Sequence, residues 1–227
     1  MKRSEINAIQ RSADAFAREH SFLLPPFAYW SPDDWRAKGP EAAEIVEHNL
    51  GWDVTDFGSG DFARRGLFLF TIRNGHLSKP RGKPYAEKLL IVREGQVTPL
   101  HFHWKKIEDI INRGGGTLAV KLYNSTPDEG RDERSDVRIS TDGVARVVPA
   151  GGVVELRPGE SITLPHHLYH EFWGVGGTVL VGEVSSVNDD NTDNRFFEPV
   201  GRFPAIEEDE PPLHLLTIDY AKYYRAD

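Results

Sequence analysis

The sequence contains no cysteine, which excludes disulfides and thiolate ligands and restricts any metal site to imidazole, carboxylate and water. Such donors suit borderline and hard ions: Mn, Fe, Zn, Co or Ni. No stretch approaches the roughly 20 apolar residues that span a bilayer. The charged start Met1-Lys2-Arg3-Ser4-Glu5 is not followed by an apolar run of signal-peptide length, so a cytoplasmic protein without membrane contact is expected. Basic clusters are limited to the dipeptides Arg64-Arg65 and Lys105-Lys106, and 27 Lys plus Arg against 35 Asp plus Glu leave a net charge of −8. That balance repels a phosphate backbone, so no nucleic-acid partner is expected. No internal repeat points to a solenoid.

What is present is ordinary for a globular chain that buries its own core: 39% apolar and 27% charged residues in 227. A single domain over 1–227 is expected, with a helical N-terminal extension over 1–60, a β core over 66–200 and a C-terminal extension over 201–227. Ile6, Ile9, Ala13 and Phe16 recur at helical spacing behind Ser4 as the expected cap. Ser31-Pro32-Asp33-Asp34-Trp35 and Gly39-Pro40-Glu41 mark two further helix starts. From Gly66 the pattern turns to short β-branched and aromatic runs. Strands are expected at 67–73, 86–93, 117–124, 144–149, 152–156, 161–164, 170–173 and 178–184, which suits a sandwich or jelly roll. The charged stretch 125–140 reads as an excursion or long hairpin.

The chemistry concentrates in two segments. In Gly95-Gln96-Val97-Thr98-Pro99-Leu100-His101-Phe102-His103-Trp104-Lys105-Lys106-Ile107-Glu108, residues two apart on a strand share a face, so His101 and His103 can approach one ion. Glu108 lies far enough along to return a carboxylate to the same side. In the second, Gly159-Glu160-Ser161-Ile162-Thr163-Leu164-Pro165-His166-His167-Leu168-Tyr169-His170, a short loop after Pro165 delivers further imidazoles.

These segments resemble the two motifs of the cupin superfamily. Gly95, His101, His103, Glu108 and Gly115 meet every fixed position of the first, and Gly159, Pro165 and His170 match the second, with His167 in place of a glycine and Gly174 in place of an asparagine. The resemblance implies a cupin double-stranded β-helix (jelly-roll barrel) with the N-terminal helices packed outside, and a divalent metal held by His101, His103, Glu108 and His170. His166 or His167 are alternatives to His170, which the spacing favours. Three imidazoles and one carboxylate leave two positions open on a six-coordinate ion.

The longer strings 101–116 and Val184-Ser185-Ser186-Val187-Asn188-Asp189-Asp190-Asn191-Thr192-Asp193-Asn194-Arg195-Phe196 resemble the bacterial D-lyxose ketol-isomerases. That resemblance implies aldose–ketose interconversion of free sugars, D-lyxose with D-xylulose and D-mannose with D-fructose, by metal-assisted enediol proton transfer. It also implies Mn2+ as the metal, with Zn2+, Co2+, Fe2+ or Ni2+ as alternatives, and a homodimer by analogy. For the catalytic groups, strand alternation puts Glu183 on the apolar face of Val179 and Val181, where a carboxylate needs a partner. Lys106 shares parity with Glu108. Substrate contact is expected from Lys106, Glu108, Glu183 and Asp193. Gly114-Gly115-Gly116 beside Arg113 is the one candidate phosphate cradle, and it reads instead as the turn closing the first motif. A phosphosugar isomerase, a cupin dioxygenase and a non-catalytic sugar-binding cupin are the competing classes.

Overall fold

Leu67 and Leu69 face one side of the strand Leu67–Arg73 and Phe68 and Phe70 the other, and both sets are buried. A strand apolar on both faces must be covered twice, and this one is: its inner side joins the barrel core and its outer side meets the N-terminal helix. The computed structural model describes residues 1–79, 81–201 and 204–225, and Ala226 and Asp227 of the expected C-terminal extension lie outside them.

Eleven strands form among these residues: β1 Gly51–Thr55, β2 Leu67–Arg73, β3 Tyr85–Val92, β4 Thr98–Phe102, β5 Glu108–Asn124, β6 Val137–Thr141, β7 Val144–Val148, β8 Val153–Leu156, β9 Ser161–Leu164, β10 Leu168–Ser186 and β11 Arg195–Phe196. All pairings between them are antiparallel, in the order β1-β2-β3-β10-β5-β9-β6-β7, with β8 on β5 and β4 between β10 and β11. The fold is mainly β and cupin-like with helices outside, as the motifs imply. The expected strands 170–173 and 178–184 are one strand, β10, which pairs with β5 over two stretches separated by a register shift between Val175 and Val179.

Gly115 and Gly116 sit at that shift, inside β5, and not in a turn. A Cβ on Gly115 would lie 2.1 Å from the Thr178 carbonyl oxygen and one on Gly116 2.7 Å from that of Val175, so only glycine lets the two long strands cross this closely. β1, β6 and β11 were not anticipated, and β4 only through the extended geometry expected of His101 and His103. β1 falls at the end of the stretch expected to be helical, and Trp52 and Val54 bury their side chains under the helix.

That helix, α1 (Arg3–Glu19), starts one residue before Ser4, and the cap is Lys2, whose amide donates to Glu5 Oε2 at 2.7 Å. Ser4 donates instead to Asp209. Ile6, Ile9, Ala13 and Ala17 bury one α1 face against Phe68, Phe70, Leu89, Ile91 and Leu180. The short helices α2 (Pro32–Arg36), capped by Ser31 as expected, α3 (Ala43–Glu47) and α4 (Tyr220–Tyr223) complete the outer layer. No helix is long and apolar enough to cross a membrane.

Candidate active site

Inside the barrel, alternation places His170, Phe172, Val179, Val181 and Glu183 of β10 on one face, and Glu108 and Ile110 of β5 and Lys88 and Leu90 of β3 beside them. Of these, Phe172, Glu183, Glu108, Ile110, Lys88 and Leu90 line a cavity of about 240 Å³ together with His101, His103, Lys106, Asp190 and Asn191, and the His170 ring packs 4.2 Å from that of His101. His101 lies opposite His170 across the β4–β10 pair. His103 stands one residue beyond β4, where its carbonyl accepts from the His167 amide at 2.9 Å. His167 itself takes φ +59°, so the turn that the motif reserves for glycine forms here with an imidazole in its place. Histidine is among the residues that visit this region more readily.

Each of the three buried histidines is oriented through Nδ1. His101 Nδ1 lies 2.7 Å from Pro99 O, His103 Nδ1 2.8 Å from Asp193 O and His170 Nδ1 3.0 Å from Leu168 O. A carbonyl only accepts, so Nδ1 carries the proton in each ring and Nε2 presents a lone pair. Burial, with His170 and His103 as neighbours, holds His101 well below the usual imidazole range. Burial and the Lys106 ammonium lower His103 as well. Both rings are therefore neutral at pH 7.

The free nitrogens converge. One ligand atom from each of His101, His103 and His170 lies within 4.8 Å of the others, and Glu108 Oε1 is 3.3 Å from His103 Nε2 and 3.2 Å from His170 Nε2. Those distances are in ion-pair range, yet neither nitrogen has a hydrogen-bond partner among the described residues. Lone pairs facing a carboxylate oxygen repel unless a cation sits between them. Donor atoms about 3 Å apart are what metal bonds of about 2.1 Å at right angles produce. The buried trio of imidazoles can hold a divalent metal, and the donor set fits one.

Beside it lies a chain of alternating charge. Lys106 Nζ stands 2.6 Å from Glu108 Oε2 and 2.9 Å from Glu183 Oε1. Lys88 Nζ stands 3.7 Å from Glu183 Oε1 and 3.1 Å from Asp190 Oδ1, and it donates to Asn188 Oδ1 at 2.7 Å. Burial alone would push the Lys106 ammonium down, but Glu108, Glu183 and Asp190 outweigh it and the pKa rises above the ordinary lysine value. Burial likewise opposes the charge on Glu108, and the Lys106 ammonium at 2.6 Å leads the groups that overcome it and hold the carboxyl well below its usual range. Two ammonium groups against three carboxylates leave this cluster at −1, and a divalent ion turns that into +1.

The model of the D-lyxose isomerase family matches residues 1–220. The D-lyxose/D-mannose isomerase of Serratia proteamaculans is 50% identical over 227 residues, covering 98% of this chain and 99% of its own length. That of Escherichia coli O157:H7 is 49% identical, covering 98% and 100%. This chain belongs to the D-lyxose isomerase family. It is an enzyme, and by family an aldose–ketose isomerase. Among solved structures, the L-ribose isomerase of Acinetobacter sp. DL28 aligns with a TM-score of 0.60 at 18% identity, covering 91% of this chain and 98% of that one, which shows a shared fold.

Against this D-lyxose isomerase background, His101, His103, His170 and Glu108 meet at one point, and Lys106 and Glu183 adjoin it. Lys105 is exposed, so parity separated the two lysines. Asp193 stands differently from the expectation of sugar contact: it is outside the cavity lining, and its carboxylate accepts the Lys105 and Lys106 amides, each at 2.9 Å. Its neighbours Asp190, Asn191 and Asn194 line the cavity. His166 and His167 take no part in the trio. Lys88 escaped sequence reading, although a lysine between the apolar Ala86 and Leu90 at alternating positions, buried in a strand, is the same signal that singled out Glu183.

Proposed function

We propose that this cavity interconverts free aldoses and ketoses, D-lyxose with D-xylulose and D-mannose with D-fructose, with Mn2+ held by His101, His103, Glu108 and His170. The observation that carries the reading is the convergence of three imidazoles, with the Nε2 atoms of His103 and His170 unpartnered, beside a carboxylate–ammonium–carboxylate row. The sugars are those in the names of relatives at half identity over the whole length. A divalent cation in this position supplies Lewis-acid polarisation of adjacent sugar oxygens. Everything else falls to the chain's own groups.

Glu183 is the candidate base that carries a proton between C1 and C2. Its carboxylate is oriented by Lys106 on one side and Lys88 on the other, the partners that a carboxylate on an apolar strand face requires. Lys106 donates hydrogen bonds to the sugar oxygen that gains charge as the proton leaves carbon. Glu108 shares its second oxygen with that same ammonium, which couples the metal side to the proton-transfer side. Asp193 serves by holding the Lys105-Lys106 amides and the His103 ring. The apolar wall of Phe57, Leu67, Leu69, Phe172 and Phe196 excludes water from the carbon being deprotonated. A phosphorylated sugar is disfavoured, because both lysines of the lining are already paired with carboxylates and no arginine is among the described residues that line the cavity.

The test strips the protein with chelator, restores Mn2+ and follows both aldoses to their ketoses. Turnover that returns with Mn2+ and is absent in His103→Ala is expected, and metal-loaded protein that leaves both sugars unchanged overturns the reading. Reaction in D2O checks the mechanism: proton transfer through Glu183 incorporates solvent deuterium at C1 or C2, whereas a hydride shift does not.

A further inference from the structure

We infer that Glu129, at the tip of the loop between β5 and β6, is a remote positioning residue for the metal centre. The inference rests on the metal-binding reading above. Glu129 takes φ +63°, a left-handed conformation that is strained for a residue with a Cβ, and Gly130, which tolerates it freely, is the next residue along. The strained residue makes three contacts. Its Oε1 accepts the Trp104 indole N–H at 2.7 Å, its Oε2 accepts Arg195 Nε at 3.0 Å, and its main-chain oxygen accepts the Tyr169 hydroxyl at 2.7 Å.

Each partner is the chain neighbour of a residue of the imidazole trio or of the cavity lining. Trp104 follows His103, Tyr169 precedes His170, and Arg195 stands between Asn194 and Phe196, whose ring stacks on His101 at 5.2 Å. Alternation explains the pattern: where the histidines point into the barrel, the residues next to them point out, and Phe102, Trp104 and Tyr169 form an aromatic layer behind the metal strands. Glu129 ties the polar edges of that layer together. Shifting either aromatic moves the backbone that carries an imidazole.

The test measures Co2+ affinity and the Co2+ visible spectrum of apoprotein, beside thermal midpoints in chelator, for Glu129→Ala, Glu129→Gly and Glu129→Gln. Loss of an outer partner of a ligand weakens metal binding about 10–100-fold; with one more layer intervening, a loss of about 10-fold is expected for both Ala and Gly, with altered Co2+ bands. Glycine relieves the backbone cost, so Glu129→Gly is expected to melt at or above Glu129→Ala while binding no better. Glutamine keeps an acceptor for Trp104 and is expected to restore most of the affinity. Wild-type affinity in the Gly variant, or affinity that tracks the melting midpoint across the three variants, overturns the inference. Protein that takes up Co2+ normally but turns over neither sugar refutes the sugar assignment and leaves this comparison standing; protein that takes up no Co2+ refutes both.

Discussion

At the imidazole end of the cavity the rings are set by main-chain carbonyls, and two of these, Pro99 and Leu168, lie only two residues before the histidine they hold. At the carboxylate end only the Lys106–Glu108 pair is local: Lys106 meets Glu183 across 77 residues, and Lys88 meets Asn188 and Asp190 across 100 and 102. The first end is a frame of imidazoles held by the main chain; the second is a row of alternating ammonium and carboxylate groups. Metal affinity should therefore depend on the first end and proton transfer on the second, and the two should come apart under mutation.

The largest effect is expected at the frame. His103→Ala removes one of three converging donors, and micromolar Mn2+ binding and turnover should vanish together, as metal titration and ketose assay would report. Retained metal affinity in that variant would break the division. Next, Glu183→Gln should lower kcat about 10²–10⁴-fold, the usual contribution of a general base, while Mn2+ affinity stays within about threefold. Should Glu183→Gln lose metal as well, the two ends are one unit.

Lys106→Met leaves Glu108 and Glu183 buried without their shared cation. Breaking a buried pair in this way costs about 3–5 kcal/mol, readable as a lowered denaturation midpoint in chelator. A smaller effect follows from pH. The folded-state pKa values of His101 and His103 lie below the ordinary value of 6.5, so as pH falls through 6.5 the unfolded chain takes up protons that the folded one does not. Metal-free protein should lose thermal stability from pH 6.5 downward and hold it above; a flat melting profile between pH 7.5 and 5.5 would contradict neutral imidazoles. The smallest effect sharpens the parity argument: Lys105→Ala, on the exposed side of the turn, should change kcat/KM by less than about twofold.

How much of this was legible beforehand varies with range. The imidazole trio that could hold a metal was legible because period-two alternation and two fixed-spacing motifs put His101, His103 and His170 at recognisable positions. Glu183 was legible for a related reason, as a carboxylate at a buried strand position. β6 was missed because its two apolar residues, Val137 and Ile139, alternate with the exposed Arg138 and are followed by the half-buried Ser140, so the segment read as part of a charged loop. β1 was missed because five consecutive buried positions carry no alternation to read.

Local chemistry was therefore in the sequence alone: the absence of thiolate, the His-x-His face, the carboxylate that follows it, and the glycines at 114–116, although their purpose was misjudged as a turn. Only the tertiary structure decided which charges share the cavity. Lys88, Asn188 and Asp190 come from β3 and from the loop after β10, and they meet because β10 lies between β3 and β5 in the sheet. It also decided that Asp193 faces two amides and leaves the lining to Asp190. A one-residue difference in a loop has no periodicity to reveal it; the backbone hydrogen bonds of the folded chain assign each side chain its direction.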